Sequence, residues 1–181
     1  WLQHEHVMAL DAADHRRRFV ERLPATVAPA AAAALATAYQ PSLIAYGQAP
    51  ALAAAVLDPP RITTAARRLL AGAREQLTEV RRRRAEGPDW LDPEAARETL
   101  AGFRAWGKCR GIAARDLLMP LRVALTGREH GPELHYVLAA LERRDALVRL
   151  DDALVADDEA RDGRGAASSV PAFPPTEGDP T

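Results

Sequence analysis

Apolar residues recur along this chain at spacings of three and four, and no stretch alternates apolar and polar with the period of two that a half-buried strand shows. The pattern is clearest between Pro120 and Leu141, which reads PLRVALTGREHGPELHYVLAAL. Leu121, Ala124 and Leu125 form one apolar stripe, and Thr126-Gly127 supplies a C-terminal stop. Pro120 is expected at or near the first turn, where its missing N–H does no harm. A second helix is predicted from Pro132, with Gly131 as the cap before it and Leu134, Val137, Leu138 and Leu141 at i, i+3, i+4 and i+7. Arg128, Glu129, His130 and Gly131 form a polar corner too short to let the two helices separate, so an αα-hairpin is expected over about 117–141.

The flanking sequence continues in the same period. Residues 1–10 read as a short helix with Leu2, Val7 and Leu10 inward; Asp11 caps a second one to Leu23, with Phe19, Val20 and Leu23 on its apolar face. Residues 30–38 are strong helix formers, and residues 51–57 follow after punctuation by Gln40-Pro41-Ser42 and Gly47-Gln48-Ala49-Pro50. Ile62, Ala66, Leu69, Leu70, Ala73, Leu77 and Val80 keep helical period through to Arg84, interrupted at Gly72 and stopped by Gly87-Pro88. Asp92-Pro93-Glu94 combines an N-cap acid, a proline at the first helical position and an acid in the first turn. The helix it opens carries Ala96, Leu100, Phe103 and Gly107 on one face, and a basic connection, Lys108-Cys109-Arg110-Gly111, leads into the hairpin. Leu147, Leu150 and Leu154 mark a last helix, and the acidic, Gly/Ser/Pro-rich run beyond Ala156 holds too little apolar surface to fold. The expected fold is all-α: one small helical bundle over 1–88, a second over 89–156 built on the hairpin, and a disordered tail over 157–181.

Composition narrows this picture. Aromatics are only 5% of the 181 residues and apolar mass comes from Ala and Leu, which favours packed helices. The single Cys109 excludes an intramolecular disulfide and a cysteine-based zinc site, in keeping with a reducing cytoplasm. No apolar run approaches the roughly 18 residues that span a bilayer, so no membrane partner is expected. The chain opens with Trp1 and not Met, and is expected to be a piece of a longer protein. Its net charge of −1 hides an asymmetry: residues 151–181 carry eight acids against two bases, leaving residues 1–150 with 22 bases against 17 acids. Such a body suits a polyanionic partner, or simply solvated helix faces. Two arginine clusters stand out, Arg16, Arg17, Arg18 and Arg22, and the run Arg81, Arg82, Arg83 and Arg84, whose four like charges must be solvated or paired with an anion. Residues 24–60, by contrast, contain no Lys or Arg and one acid, Asp58. No glycine-rich phosphate cradle, Cys-His pair or Ser-His-Asp set is present, so no catalytic residue is assigned. His4 and His6, two apart, point to different sides of a helix and are not assigned to metal; His130 and His135 read as surface or capping residues.

PLRVALTG, a short polar turn, GPEL and an Ala-Leu-rich helix together resemble the C-terminal, anticodon-binding region of bacterial glutamyl-tRNA synthetase, with weaker echoes in Trp1-Leu2, Asp89-Trp90 and residues 145–150. The chain departs from that family at Ala140-Leu141-Glu142, where Leu-Leu-Gly is usual, and over 24–60, where a charged helix is usual. The resemblance implies a monomeric, cytoplasmic tRNA-binding portion whose partners are tRNA(Glu) and the catalytic domain of the same polypeptide. That domain would lie upstream of Trp1, and the full enzyme would attach glutamate to tRNA with ATP and magnesium; no cofactor is expected in this chain. The tRNA-contact candidates are Lys108, Arg110, Arg115, Arg122 and Arg128, on the connection and helix ends that the resemblance singles out. Arginine, which outnumbers lysine 23 to 1, suits both phosphate pairing and stacking on splayed bases. Arg122 has a second reading, as an arginine tied to Glu129 or to helix-end carbonyls. The whole chain also has one, as a helical interaction or scaffold module that keeps the fold without RNA, which the charge-free stretch favours.

Overall fold

The computed structural model describes the backbone of residues 10–166 and the side chains of residues 10–156. Nine α-helices and two short 3₁₀ turns make up the regular structure of the described residues. They are α1 (Ala12–Val20), α2 (Pro29–Tyr39), α3 (Ala49–Leu57), α4 (Thr64–Leu70), α5 (Arg74–Glu86), α6 (Pro93–Cys109), α7 (Ala114–Thr126), α8 (Leu134–Ala140) and α9 (Arg143–Ala166). The expected helix over 1–10, with His4 and His6, and residues 167–181 of the tail lie outside the described residues.

Local chemistry sets most of these boundaries. The Asp11 carboxylate accepts from the amides of Ala13 and Asp14 at 2.8 and 2.9 Å, and that of Asp92 accepts from Ala95 at 2.8 Å; each satisfies amides that a helix start leaves without a partner. Gly72 breaks α4 from α5 with φ 87°, and Gly127 ends α7 at φ 69° in the left-handed region. Both breaks match the sequence pattern.

The hairpin itself departs from it in three places. Pro120 sits inside α7 and not in its first turn: the helix opens at Ala114 with Asp116 in the first turn, and Leu117 extends the stripe of Leu121, Ala124 and Leu125 one turn upstream. The helix after the corner begins at Leu134 with Glu133 at its N-cap, not at Pro132 behind Gly131. The reason is a competing donor. Arg122 Nη1 donates to the Pro132 carbonyl at 2.8 Å, and the Tyr136 amide, the helical partner of that carbonyl, bonds to the Glu133 carbonyl instead. α8 then stops at Ala140, with Leu141 buried but extended. α9 also runs to Ala166, ten residues past the end read from the apolar pattern, as a helix already nucleated against the core can propagate beyond its last apolar position.

Packing joins the segments. α2 lies between α1 and α8, α8 also packs on α6, and α9 lies across α4, α5 and α7. The division at residue 88 is thus crossed by several helix pairings, and one continuous apolar core runs from Phe19 through Leu35, Leu77, Phe103 and Leu138 to Ala156. His15 ties α1 to this core, its Nε2 2.8 Å from the Ala36 carbonyl and its Nδ1 2.9 Å from the Tyr46 hydroxyl. α6 and α7 approach closely at Gly107, where an added Cβ would stand 2.7 Å from Leu117 Cδ2.

Candidate nucleic-acid interface

Arg97 and Arg104 are seven residues apart on α6, and Arg115 and Arg122 are seven apart on α7. Seven residues is about two helical turns, so each pair shares one side of its helix. The close approach at Gly107 and the short connection between the helices turn those sides toward each other. With the start of α8 they line a groove of about 420 Å³, within the size range of ligand clefts. Leu100, Leu118, Met119 and Leu134 give it apolar lining, and Glu133 and His135 complete it. Four guanidinium groups therefore face one carboxylate.

Two of these arginines are held in place. Arg122 is half-buried; burial pulls its pKa below the ordinary guanidinium value, and its bond to the Pro132 carbonyl ties α7 to the hairpin corner. The second reading expected Glu129 or a helix-end carbonyl; the partner is the Pro132 carbonyl of the corner, and the same side chain lines the groove. Arg97 donates from Nη1 to Glu94 Oε2 at 2.7 Å, while its Nη2 lies 3.2 Å from His135 Nε2. His135 is buried, not at the surface, and its Nδ1 lies 3.4 Å from Glu133 Oε2. Burial moves its pKa below the ordinary imidazole value, with the Arg97 and Arg104 charges acting in the same direction and Glu133 and Glu94 opposing it.

Of the five residues picked from sequence, Arg115 and Arg122 line this groove. Lys108 is exposed at the end of α6 and does not line it. Arg110 is engaged elsewhere: its guanidinium stacks 4.3 Å over the Trp106 ring and its Nε donates to Glu75 at 2.8 Å. Arg128 is exposed in the hairpin corner, beside a separate hollow lined by Thr63 and Leu69. Sequence reasoning passed over Arg97 and Arg104. The signal was present in the two seven-residue spacings, which matter only once α6 and α7 are known to face each other.

The arginine run on α5 is accounted for within the protein. Arg81 pairs with Asp151, Arg82 with Glu79 and Glu86, and Arg83 with Glu79, whose carboxyl these two arginines hold below its usual range. Arg84 is buried and donates to the carbonyls of Pro88 and Asp89 at 2.6 and 2.8 Å. The groove arginines Arg104 and Arg115 are exposed helix positions by contrast. Among the described residues no group of three or more His, Cys, Asp or Glu is placed to hold a metal ion, and no helix is long and apolar enough to cross a membrane.

Comparison with known proteins agrees with a helical nucleic-acid-binding module. The chain is 44% identical over 109 residues to glutamate–tRNA ligase 1 of Rubrobacter xylanophilus, which covers 58% of this chain and 24% of that protein. It is 40% identical over 102 residues to glutamate–tRNA ligase 2 of Rhizorhabdus wittichii, covering 56% of this chain and 18% of the relative. The chain thus spans about a quarter or less of the length of these relatives. Its fold matches that of a glutamate tRNA ligase from Elizabethkingia meningosepticum with a TM-score of 0.70 at 13% identity, over 86% of this chain and 31% of that one. The profile of the anticodon binding domain matches residues 14–154, and the chain belongs to that family.

Proposed function

We propose that this chain binds the anticodon arm of tRNA(Glu) as the tRNA-binding portion of a cytoplasmic glutamate–tRNA ligase, and that the groove between α6, α7 and α8 takes part of the single-stranded loop. The observation that carries the site is the convergence of Arg97, Arg104, Arg115 and Arg122 over an apolar lining. Guanidinium groups pair with phosphates and stack on bases, and apolar walls receive the faces of bases splayed out of a loop. Lys108, exposed at the end of α6, and Arg128, exposed in the hairpin corner, add sequence-independent backbone contacts, while Arg110 has first to leave Glu75 and Trp106. Attachment of glutamate, with ATP and magnesium, belongs to the full enzyme and to residues outside this chain.

The test is the salt dependence of binding to an anticodon stem-loop of tRNA(Glu). Arg104→Ala and Arg115→Ala are each expected to weaken binding and to lower the slope of log affinity against log salt by about one unit, with no change in melting temperature. Arg82→Ala removes the same charge from a position paired to Glu79 and Glu86, and is expected to leave the slope unchanged. If the two groove variants and Arg82→Ala behave alike, RNA does not enter the groove.

A further inference from the structure

The groove contains one side chain whose placement tRNA binding by arginines alone does not explain. His135 is 5% exposed, yet it lies at the wall of a basic groove with both ring nitrogens turned to charged groups. An arginine can only donate, so Nε2, 3.2 Å from Arg97 Nη2, must accept. The ring proton then sits on Nδ1, which lies 3.4 Å from the Glu133 carboxylate. Arg97 thus selects the tautomer; burial and the Arg97 charge favour the neutral ring, and the Glu133 carboxylate opposes them. A proton on Nε2 would set N–H against N–H and displace Arg97.

Arg97 needs such a holder. Its side chain is 53% exposed at the rim of the groove, where a long arginine otherwise samples many rotamers. Glu94 fixes one corner of the guanidinium from the preceding turn of α6, and His135 fixes a second from α8, leaving further N–H donors for a ligand. Glu94 alone would allow the group to swing about that single contact.

We infer that His135 is a positioning residue for RNA recognition: its neutral imidazole holds Arg97 across the α6–α8 gap in the pose that meets the RNA. The inference rests on the groove being the RNA site. It extends the arginine set by a residue that need not touch RNA, and by a requirement for an acceptor at position 135.

The experiment uses the 181-residue chain and an RNA stem-loop with an unpaired loop, with affinity measured across a salt series. Arg97→Ala is expected to weaken binding roughly tenfold, the effect of one charge-assisted contact, and to lower the salt slope by about one unit. His135→Leu should reproduce both changes although it removes no formal charge, the double variant should be no weaker than either single one, and His135→Gln, which keeps an acceptor, should restore much of the loss. If His135→Leu does not melt cooperatively, His135→Met fills the space with a flexible thioether and carries the same test. The inference is overturned if a folded His135→Leu or His135→Met leaves affinity and slope at wild-type values while Arg97→Ala lowers them, or if the two losses add. Arg104→Ala separates this from failure of the groove reading: when Arg97→Ala and Arg104→Ala are both without effect, the groove itself is not the RNA site.

Discussion

Among the described residues the arginines range from the buried Arg84 and Arg149 to the exposed Arg82 and Arg104, and they differ as much in what their guanidinium groups have already found. Arg149 is the extreme case. It reaches from α9 to the carbonyls of Val56 and Leu57 at the end of α3, at 2.7 and 2.5 Å, and to that of Leu125 near the end of α7, at 2.6 Å. Carbonyls at helix C-termini have no partner within their own helix and carry the negative end of the dipole, so a buried cation there satisfies three acceptors and two helix ends at once. Burial pulls its pKa down and the nearby carboxylates of Asp145 and Asp58 oppose the shift. Arg149→Met keeps bulk but leaves those carbonyls buried without donors. It is expected to cost about 2–5 kcal/mol, while the exposed Arg82→Met leaves the midpoint nearly unchanged, measured by urea unfolding. Equal costs would mean that the three carbonyls find water or other donors when Arg149 is gone.

Among the elements, α7 and its ending show how far the sequence pattern reaches. Gly127 has φ 69°, and an added Cβ would stand 3.1 Å from both the backbone N and O of Arg61. Gly111 has nearly the same φ, 68°, with nothing within 4 Å. Gly111→Ala should therefore cost only the left-handed strain, about 1–2 kcal/mol, while Gly127→Ala adds a backbone clash that no rotamer relieves, about 1–3 kcal/mol more. Indistinguishable unfolding midpoints would show that the 60–61 segment is not held against the hairpin. What was legible here is local: the stop at Gly127, the caps at Asp11 and Asp92 and the break at Gly72 each follow from one residue's chemistry. What was not legible is set by partners distant in sequence. The bond between Arg122 and Pro132 delays α8, and Arg81 finds Asp151 as a partner only because α9 lies on α5. The groove was half legible for the same reason, since Arg97 and Arg104 gain meaning from α7, which nothing on α6 announces.

At the scale of the whole molecule, α2 is one of the elements that pack the segments before and after residue 88 together. Its sequence is apolar nearly all round, PAAAAALATAY, and Ala31, Ala32, Ala34, Leu35, Ala36 and Tyr39 are all buried. A helix placed between α1 and α8 has little solvent face on which to carry a charge. The absence of Lys and Arg from α2 thus has a packing cause, whereas Ile44, Gly47 and Gln48 of the same charge-poor stretch are exposed. α2 also couples the two ends of the chain: α8 and the groove wall it presents, with Glu133 and His135, rest on α2, and α9 closes over α4, α5 and α7 from the other side. If the core is cooperative across residue 88, a lesion in α2 must weaken helices that it never touches. Leu35 is fully buried, and Leu35→Ala is expected to cost about 2–5 kcal/mol. Amide exchange then decides how that loss is shared. The slowest amides of α5, α6 and α7 should speed up by the same factor as those of α2, because all of them open only through global unfolding. Two independent bundles would give a different result: faster exchange confined to α1–α5, with α6 and α7 keeping their wild-type protection.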